Sequence, residues 1–322
     1  MITADIIGID ILWYDQILLL PQMPAENASL RVESCSYQGG GKVCTALTAA
    51  GRQGISCGLL ALCGNDHRSR FLADDLELHG VSTALLIETP GYEPGWSVVL
   101  SDAVSGGRRI LWHNNDQQKS LSPADVDQAA NEIRRARYLH LCRMDEAGCR
   151  AASIAKEAGV LVSFDADFYD PSVVEQLPFI DILIGSEDFY DRMFAGNRDF
   201  QTNCQKLADQ GPRTVIFTFG SNGCRGIANG SFFSCPAFSV PVIDTVGAGD
   251  VFHGAYLAAL CLGLSAGYEA ARYASAVSAI KCTAVGGRAG IPSRKQIEEF
   301  LTSGTLSRKE IEERTRYYSI FR

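Results

Sequence analysis

The run Asp244-Thr245-Val246-Gly247-Ala248-Gly249-Asp250-Val251-Phe252-His253-Gly254-Ala255 carries the clearest chemical signal in this 322-residue chain. Phe238–Ile243 reads as a strand before it and Val251–Leu262 as an apolar helix after it. Glycines at the mouth of a helix let successive backbone N–H groups converge on an anion with no Cβ in the way, and the helix dipole adds positive potential. A cradle of Gly247, Ala248 and Gly249 therefore suits a phosphoryl group whose charge spreads over its equatorial oxygens during transfer. A carboxylate at Asp250 would repel a resident phosphate. It makes sense as a base that takes the proton of an attacking hydroxyl; the plainer alternative is that it only favours the first helical turn. The run lacks the Gly-Lys-Ser/Thr of a phosphate loop, and no G-x-G-x-x-G follows the first strand, which discourages a dinucleotide-dependent dehydrogenase. A second glycine run, Gly39-Gly40-Gly41-Lys42, also precedes a helical stretch. There it permits close approach of a substrate and a hinge beneath a lid, or is simply a flexible turn.

The elements that must hold these residues alternate. Ala4–Ile9, Ile55–Cys63, Arg137–Cys142, Val160–Asp165, Asp181–Gly185 and Thr214–Phe219 are short apolar, β-branched runs expected to be buried strands. Lys42–Arg52, His67–Leu78, Pro123–Arg135, Glu146–Lys156 and Phe200–Asp209 read as the intervening helices, the third opened by Ser122 as N-cap and Pro123 in the first turn. Alternation of this kind predicts right-handed βαβ units and an α/β fold with a mainly parallel sheet covered on both faces. Residues 11–38 and about 91–115 break the pattern with half-alternating segments and turns. They are expected to form a small separate sheet that serves as a lid over a cleft, or else two surface hairpins. The main unit spans residues 1–303, followed by a helical tail, 304–322, whose Ser307-Arg308-Lys309-Glu310 fits a capping box.

Composition limits the function classes. A net charge of −8 argues against a broad nucleic-acid or anionic-membrane surface. The eleven cysteines form no CxxC and no zinc spacing with histidine, so they read as reduced structural thiols of a cytoplasmic protein. The N-terminus shows no basic segment ahead of an apolar stretch, and Ile17–Leu20 is far too short to span a bilayer.

The string Asp244–Phe252 resembles the C-terminal signature D-T-T-G-A-G-D-x-F of the ribokinase-like, phosphofructokinase-B type carbohydrate kinases, departing only at Val246. The resemblance covers roughly residues 4–301 in order. It implies a ribokinase-like fold with a β-sheet lid, ATP with Mg²⁺, a small sugar substrate, Gly247–Gly249 as anion hole and Asp250 as catalytic base. It also implies that Gly40 and Gly41 sit at the sugar, with Thr45 where the family usually places an Asn. Asp15, nine residues before Pro24, falls at the spacing of the family's sugar-binding Asp, with Asp10 as rival. Gly107-Arg108-Arg109 resembles the end of the lid hairpin, where Arg109 is expected either to contact substrate or to stay solvated. Arg143, after the strand Tyr138–Cys142, is placed at the sheet's C-terminal edge as a partner for an anionic group. Thr218-Phe219-Gly220-Ser221-Asn222-Gly223 resembles the T-x-G-x-x-G nucleotide loop, so Thr218, Gly220 and Gly223 are expected beside ATP, with Ser275 in the adenine pocket. The family's N-x-x-E motif reads Ser186-x-x-Phe189 here; Ser186 keeps the nucleotide position, and Glu187 or Asp188 stands in through water. Asp244 is expected to help hold a monovalent cation such as K⁺, as in some relatives.

Lys281–Pro292 together with Asp250–Ala255 looks nearest to the 6-deoxy-6-sulfofructose kinase branch, although Ser29 and His113 stand where that branch uses Lys and Asn for the sulfonate. The resemblance thus implies an ATP-dependent sugar kinase. The alternative is a catalytically weak or inactive protein of the same fold that senses a sugar or nucleotide, favoured by the altered N-x-x-E and opposed by Asp250. Exposed lid strands are expected to pair two copies into a homodimer.

Overall fold

The computed structural model describes residues 3–104, 107–114 and 119–320. Part of the turn-bearing segment expected over about 91–115 lies outside them. Five parallel strands form the centre: β1 (Ile6–Ile9), β4 (Cys57–Cys63), β9 (Tyr138–Leu141), β10 (Leu161–Ala166) and β11 (Ile182–Ser186). The lid strands β2 (Trp13–Leu20) and β3 (Ser34–Gly39) intervene in the chain, as do β5 (Val81–Ser82), β6 (Leu86–Glu88), β7 (Gly95–Asp102) and β8 (Arg108–His113). After β12 (Thr214–Thr218), which is parallel to β11, the hairpin β13 (Cys224–Ala228) and β14 (Ser231–Cys235) extends the sheet antiparallel. Among the described residues the main sheet runs β14-β13-β12-β11-β10-β9-β1-β4-β5, with β6 also on β4. The near-continuous burial of its strands is why each reads as an unbroken apolar run rather than an alternating one.

Helices cover both faces. One core packs α1 (Lys42–Arg52), α2 (His67–Leu78), α9 (Ala248–Cys261), α10 (Tyr268–Lys281), α11 (Arg294–Ser303) and α12 (Lys309–Tyr318) on the sheet. The other packs α3 (Pro123–Gln128), α4 (Ala130–Arg135), α5 (Glu146–Ala158), α6 (Val173–Gln176), α7 (Glu187–Phe194) and α8 (Phe200–Ala208). Helix α9 is apolar on all sides because α1 and α10 flank it; Leu257 and Val251 are fully buried, each adding about 1.5–3 kcal/mol of burial free energy. At Gly254 the helices touch through backbone, since an added Cβ would stand 2.5 Å from the carbonyl carbon of Ala46. A side chain there would push α9 off α1.

The lid is a separate four-stranded sheet, β3-β2-β7-β8, with β2 and β7 parallel and the other pairs antiparallel. Its edge strand β8 is exposed along its whole length and shows Ile110, Leu111 and Trp112 to solvent.

Three expectations are corrected. Phe238–Ile243 is irregular rather than a strand, since Pro241 has no N–H for a ladder, and the segment lines a cleft instead. The helix expected over Pro123–Arg135 breaks at Ala129 into α3 and α4, while its Ser122–Asp125 capping box forms. The tail helix starts at Lys309 without the Ser307 cap; the Ser307 carbonyl instead accepts from Gln296 Nε2 at 2.7 Å.

Candidate active site

Asp10, Arg143, Asp165, Thr218 and Asp250 come from strand ends or a helix start at the C-terminal edge of the main sheet, where crossover connections leave an open crevice, and the lid adds Asp15, Arg108 and Arg109. Gly247 adopts φ +72°, the left-handed turn that lets the chain enter α9 at Ala248. A Cβ on Gly247 would lie 3.0 Å from Gly287 Cα, so two glycine loops meet back to back. At Gly249 an added Cβ would meet nothing within 4 Å. The Ala248 N–H donates to the Thr245 carbonyl at 3.2 Å, which leaves the Gly249 and Asp250 amides as the first-turn N–H groups of α9 without an intrahelical partner.

Asp250 sits among like charges. Loss of water at the cleft floor and the carboxylates of Asp165, Asp167 and Asp10 push it well above the usual carboxylate range, and Lys42 pulls the other way. Asp165 ends β10, is buried, and is itself raised, chiefly by burial. Its Oδ1 lies 3.4 Å from His253 Nε2, and the His253 ring lies 5.5 Å from that of His140. Burial holds both imidazoles down at about 3, so both are neutral near pH 7. Lys42 Nζ bonds Asp167 Oδ2 at 2.8 Å and lies over the Phe168 ring. Burial would lower its pKa, but Asp165, Asp167 and Asp250 together raise it, so Lys42 is the cation of this acidic floor. Lys42, Asp165, Asp167 and His253 were not singled out as site residues from sequence. The alternate carboxylates of Asp165-Ala166-Asp167 at a parallel strand's C-terminal end were the available signal.

On the lid side, Asp15 on β2 presses on Gly40, with its Cγ 2.9 Å from where a Cβ would stand, and Ser97 of β7 donates to it. Burial pushes Asp15 up to about 6. Its rival Asp10 is buried, accepts from the Cys44 N–H at 3.1 Å, and lies against Gly41, whose φ is +83°. The two carboxylates thus take one glycine each. Thr45 is buried with its methyl toward Gly247 and Gly287, packing the base of the anion loop. Gly39 and Gly40 are braced by the buried Arg288, which pairs with Asp75 and donates to the Gly40 carbonyl at 2.9 Å. The Tyr318 hydroxyl of α12 bonds the other oxygen of Asp75.

The lid reaches the anion loop through Arg108, whose Nη1 is 2.9 Å from Thr245 Oγ1. Arg109 leaves the opposite face of β8, as strand alternation requires. Arg143 lines a second, smaller cavity with Asp10 and Lys119. An open cleft of about 460 Å³ is lined by Thr218, Gly220, Gly223 and Ser275 and also by Thr245, Ala248 and Gly249. It joins the expected nucleotide loop to the expected anion hole. Ser186 is spent locally, capping α7 through the Phe189 N–H and donating to the Asp167 carbonyl at 2.9 Å. Glu187 and Asp188 are exposed and face Arg198 and Arg192. Among the described residues no three metal-ligating side chains cluster, and no helix is long and apolar enough to cross a membrane.

Residues 3–294 match the pfkB family of carbohydrate kinases. The chain belongs to that family. Similar proteins include a deoxyribokinase of Salmonella typhimurium, 27% identical over 307 residues that cover 89% of this chain and 95% of the relative. A ribokinase of Haemophilus influenzae is 27% identical over 294 residues, covering 89% and 95%. Among solved structures, Arabidopsis thaliana ribokinase complexed with ribose and ATP superposes with a TM-score of 0.78 at 21% identity, covering 93% of this chain and 99% of that one. A protein described as ribokinase II of E. coli, in complex with ATP and Mg²⁺, gives 0.79 at 21% identity, with coverage of 93% and 99%. This α/β kinase therefore has the ribokinase fold, with the small second sheet as its lid, and falls among phosphotransferases that act on an alcohol group.

Proposed function

We propose that this kinase transfers the γ-phosphoryl group of ATP to a hydroxyl of a sugar held between the lid and Gly40-Gly41, with Asp250 as the base. The observation that carries the reading is the shared cleft, in which Thr218, Gly220, Gly223 and Ser275 lead to Ala248 and Gly249 beside Asp250. A triphosphate lying along it would put its terminal phosphoryl at the start of α9, where the Gly249 and Asp250 amides have no intrahelical partner. Asp250 takes the hydroxyl proton as the sugar oxygen bonds to the γ-phosphorus, while the bond to the β-phosphate oxygen breaks and ADP leaves. The raised pKa of Asp250 brings its basicity nearer the working pH, as a general base requires. Lys42, tied to Asp167 and within electrostatic reach of Asp250, is placed to offset charge that develops on the phosphoryl oxygens.

Asp167 is the carboxylate suited to meet a Mg²⁺ arriving with ATP. An ion held by one carboxylate, phosphates and water fits a chain without a dedicated ligand cluster among its described residues. The magnesium would neutralise phosphate charge. Asp15, with Asp10 beside it, offers carboxylate oxygens to sugar hydroxyls, and Arg143 with Lys119 offers positive charge to an acidic group on the substrate. Substrate-dependent ADP release across neutral sugars, sugar phosphates, sulfonated sugars and nucleosides tests the proposal. Turnover of at least one sugar supports it. ATP binding with no turnover across the panel would instead favour the sensing alternative.

A further inference from the structure

Lys281 is the last residue of α10 and has no solvent exposure. Its ammonium donates to the backbone carbonyl of Asp244, the residue that opens the anion-hole loop, at 3.0 Å. A buried lysine is costly unless its charge is matched, so such a group needs a reason. The surroundings give one. Burial lowers its pKa, and Cys282, Asp244 and Asp250 act against that, with Arg108 on the side of burial. Both anion-loop carboxylates thus favour the charged form.

Asp244 is itself fully engaged. Its Oδ1 accepts from the Val246 N–H at 3.0 Å, its Oδ2 from the Gly286 N–H at 2.8 Å, and its carbonyl from Lys281. These bonds tie the loop that carries Gly247 to the loop that carries Gly286 and Gly287. Every oxygen of Asp244 therefore has a donor, and the charge beside it belongs to the chain. The residues present do not fit a monovalent cation held by Asp244.

We infer that Lys281 is a built-in cation for the anion-hole loop, a positioning residue that fixes the Gly247–Gly249 turn and makes activation by K⁺ unnecessary. The inference rests on the reading of that turn as the phosphoryl cradle. Its role is geometric and electrostatic: it holds the Asp244 carbonyl, and with it the turn that leads into α9, and it offsets the negative charge of Asp244 and Asp250 beneath an incoming phosphate.

The test compares the purified protein in tetramethylammonium, Na⁺ and K⁺ salts at equal ionic strength, by initial rate with ATP and by thermal midpoint without substrate. We expect kcat/KM and the midpoint to be the same in all three. Activation by K⁺ of several-fold, or a midpoint that rises with K⁺ alone, overturns the inference. In Lys281→Ala, kcat should fall about tenfold or more through loss of loop geometry, and methylammonium should restore part of it. The variant's midpoint should rise with methylammonium where the parent's does not. A variant with parental kcat overturns the inference too. If the variant does not fold, the three-salt comparison still decides. The midpoint readings need no turnover, so they separate failure of this inference from failure of the kinase reading.

Discussion

Gly254→Ala is the smallest change that should separate the two halves of the site. Helix α1 begins directly after Gly41 and carries Thr45, while α9 begins at the anion loop and carries Asp250. The new methyl would stand 2.5 Å from the Ala46 carbonyl carbon and nearer still to its oxygen, where real contacts do not fall below 3.0 Å. Backbone cannot rotate away, so the helices must part. A parting of roughly 1 Å between base and substrate loop is the displacement that costs about 10²-fold in rate. Overpacking costs about 1–3 kcal/mol, which the helix-propensity gain of about 0.5–1 kcal/mol over glycine only partly offsets. The assay is ADP release at saturating ATP and sugar, with a thermal melt of the same preparation. We predict a loss of kcat on the order of 10² with a modestly lowered midpoint. A destabilised variant with parental kcat would show that the α1–α9 spacing does not set the reacting geometry.

Further predictions follow from charge and exposure. Asp250 must be ionised to act, so kcat/KM should climb with pH through a value displaced above the free aspartate pKa of about 3.9; an acid limb at the ordinary value would contradict the raised state. The same shift has the opposite sign for stability. A carboxyl whose folded pKa is raised stabilises the fold below its unfolded pKa and loses that contribution as pH rises through the folded value. Removing the charge with Asp250→Asn should therefore raise the thermal midpoint at neutral and alkaline pH and leave it little changed in acid. Trp112→Glu on the exposed β8 edge should convert a lid-paired dimer to monomer in light scattering; a parent already monomeric at micromolar concentration would remove that role from the lid. Arg108→Ala should raise the KM for substrates while sparing the fold, because its contact with Thr245 joins exposed surfaces; an unchanged KM would mean the lid contact is idle.

Much of the frame was legible because its signals are local. The bounds of α1 and α2 fall where periodicity and the flanking residues place them, and the central strands are apolar runs because both their faces are covered. The Gly247 turn and the start of α9 before Asp250 were legible because a helix start, its glycines and its acid lie within one short segment. What escaped depends on contacts distant in sequence. Lys42 and Asp167 meet across 125 residues. The partner of Lys281 is set by how α10 ends beside Asp244, and nothing in an apolar helix with one lysine announces it. Arg108 rather than Arg109 meets the anion loop because the strand's period of two, combined with a register only the fold supplies, chooses the inward side chain. The hairpin β13–β14 leaves little trace in the sequence because its two five-residue strands bear arginine and serine rather than an unbroken apolar run.

The most direct test of the central claim is turnover by Asp250→Asn at saturating substrate beside its affinity for ATP. The account predicts ATP affinity close to that of the parent and a kcat lowered by a factor on the order of 10² or more. Parental kcat in the variant would contradict it, because the group at position 250 would then not be the one that takes the proton.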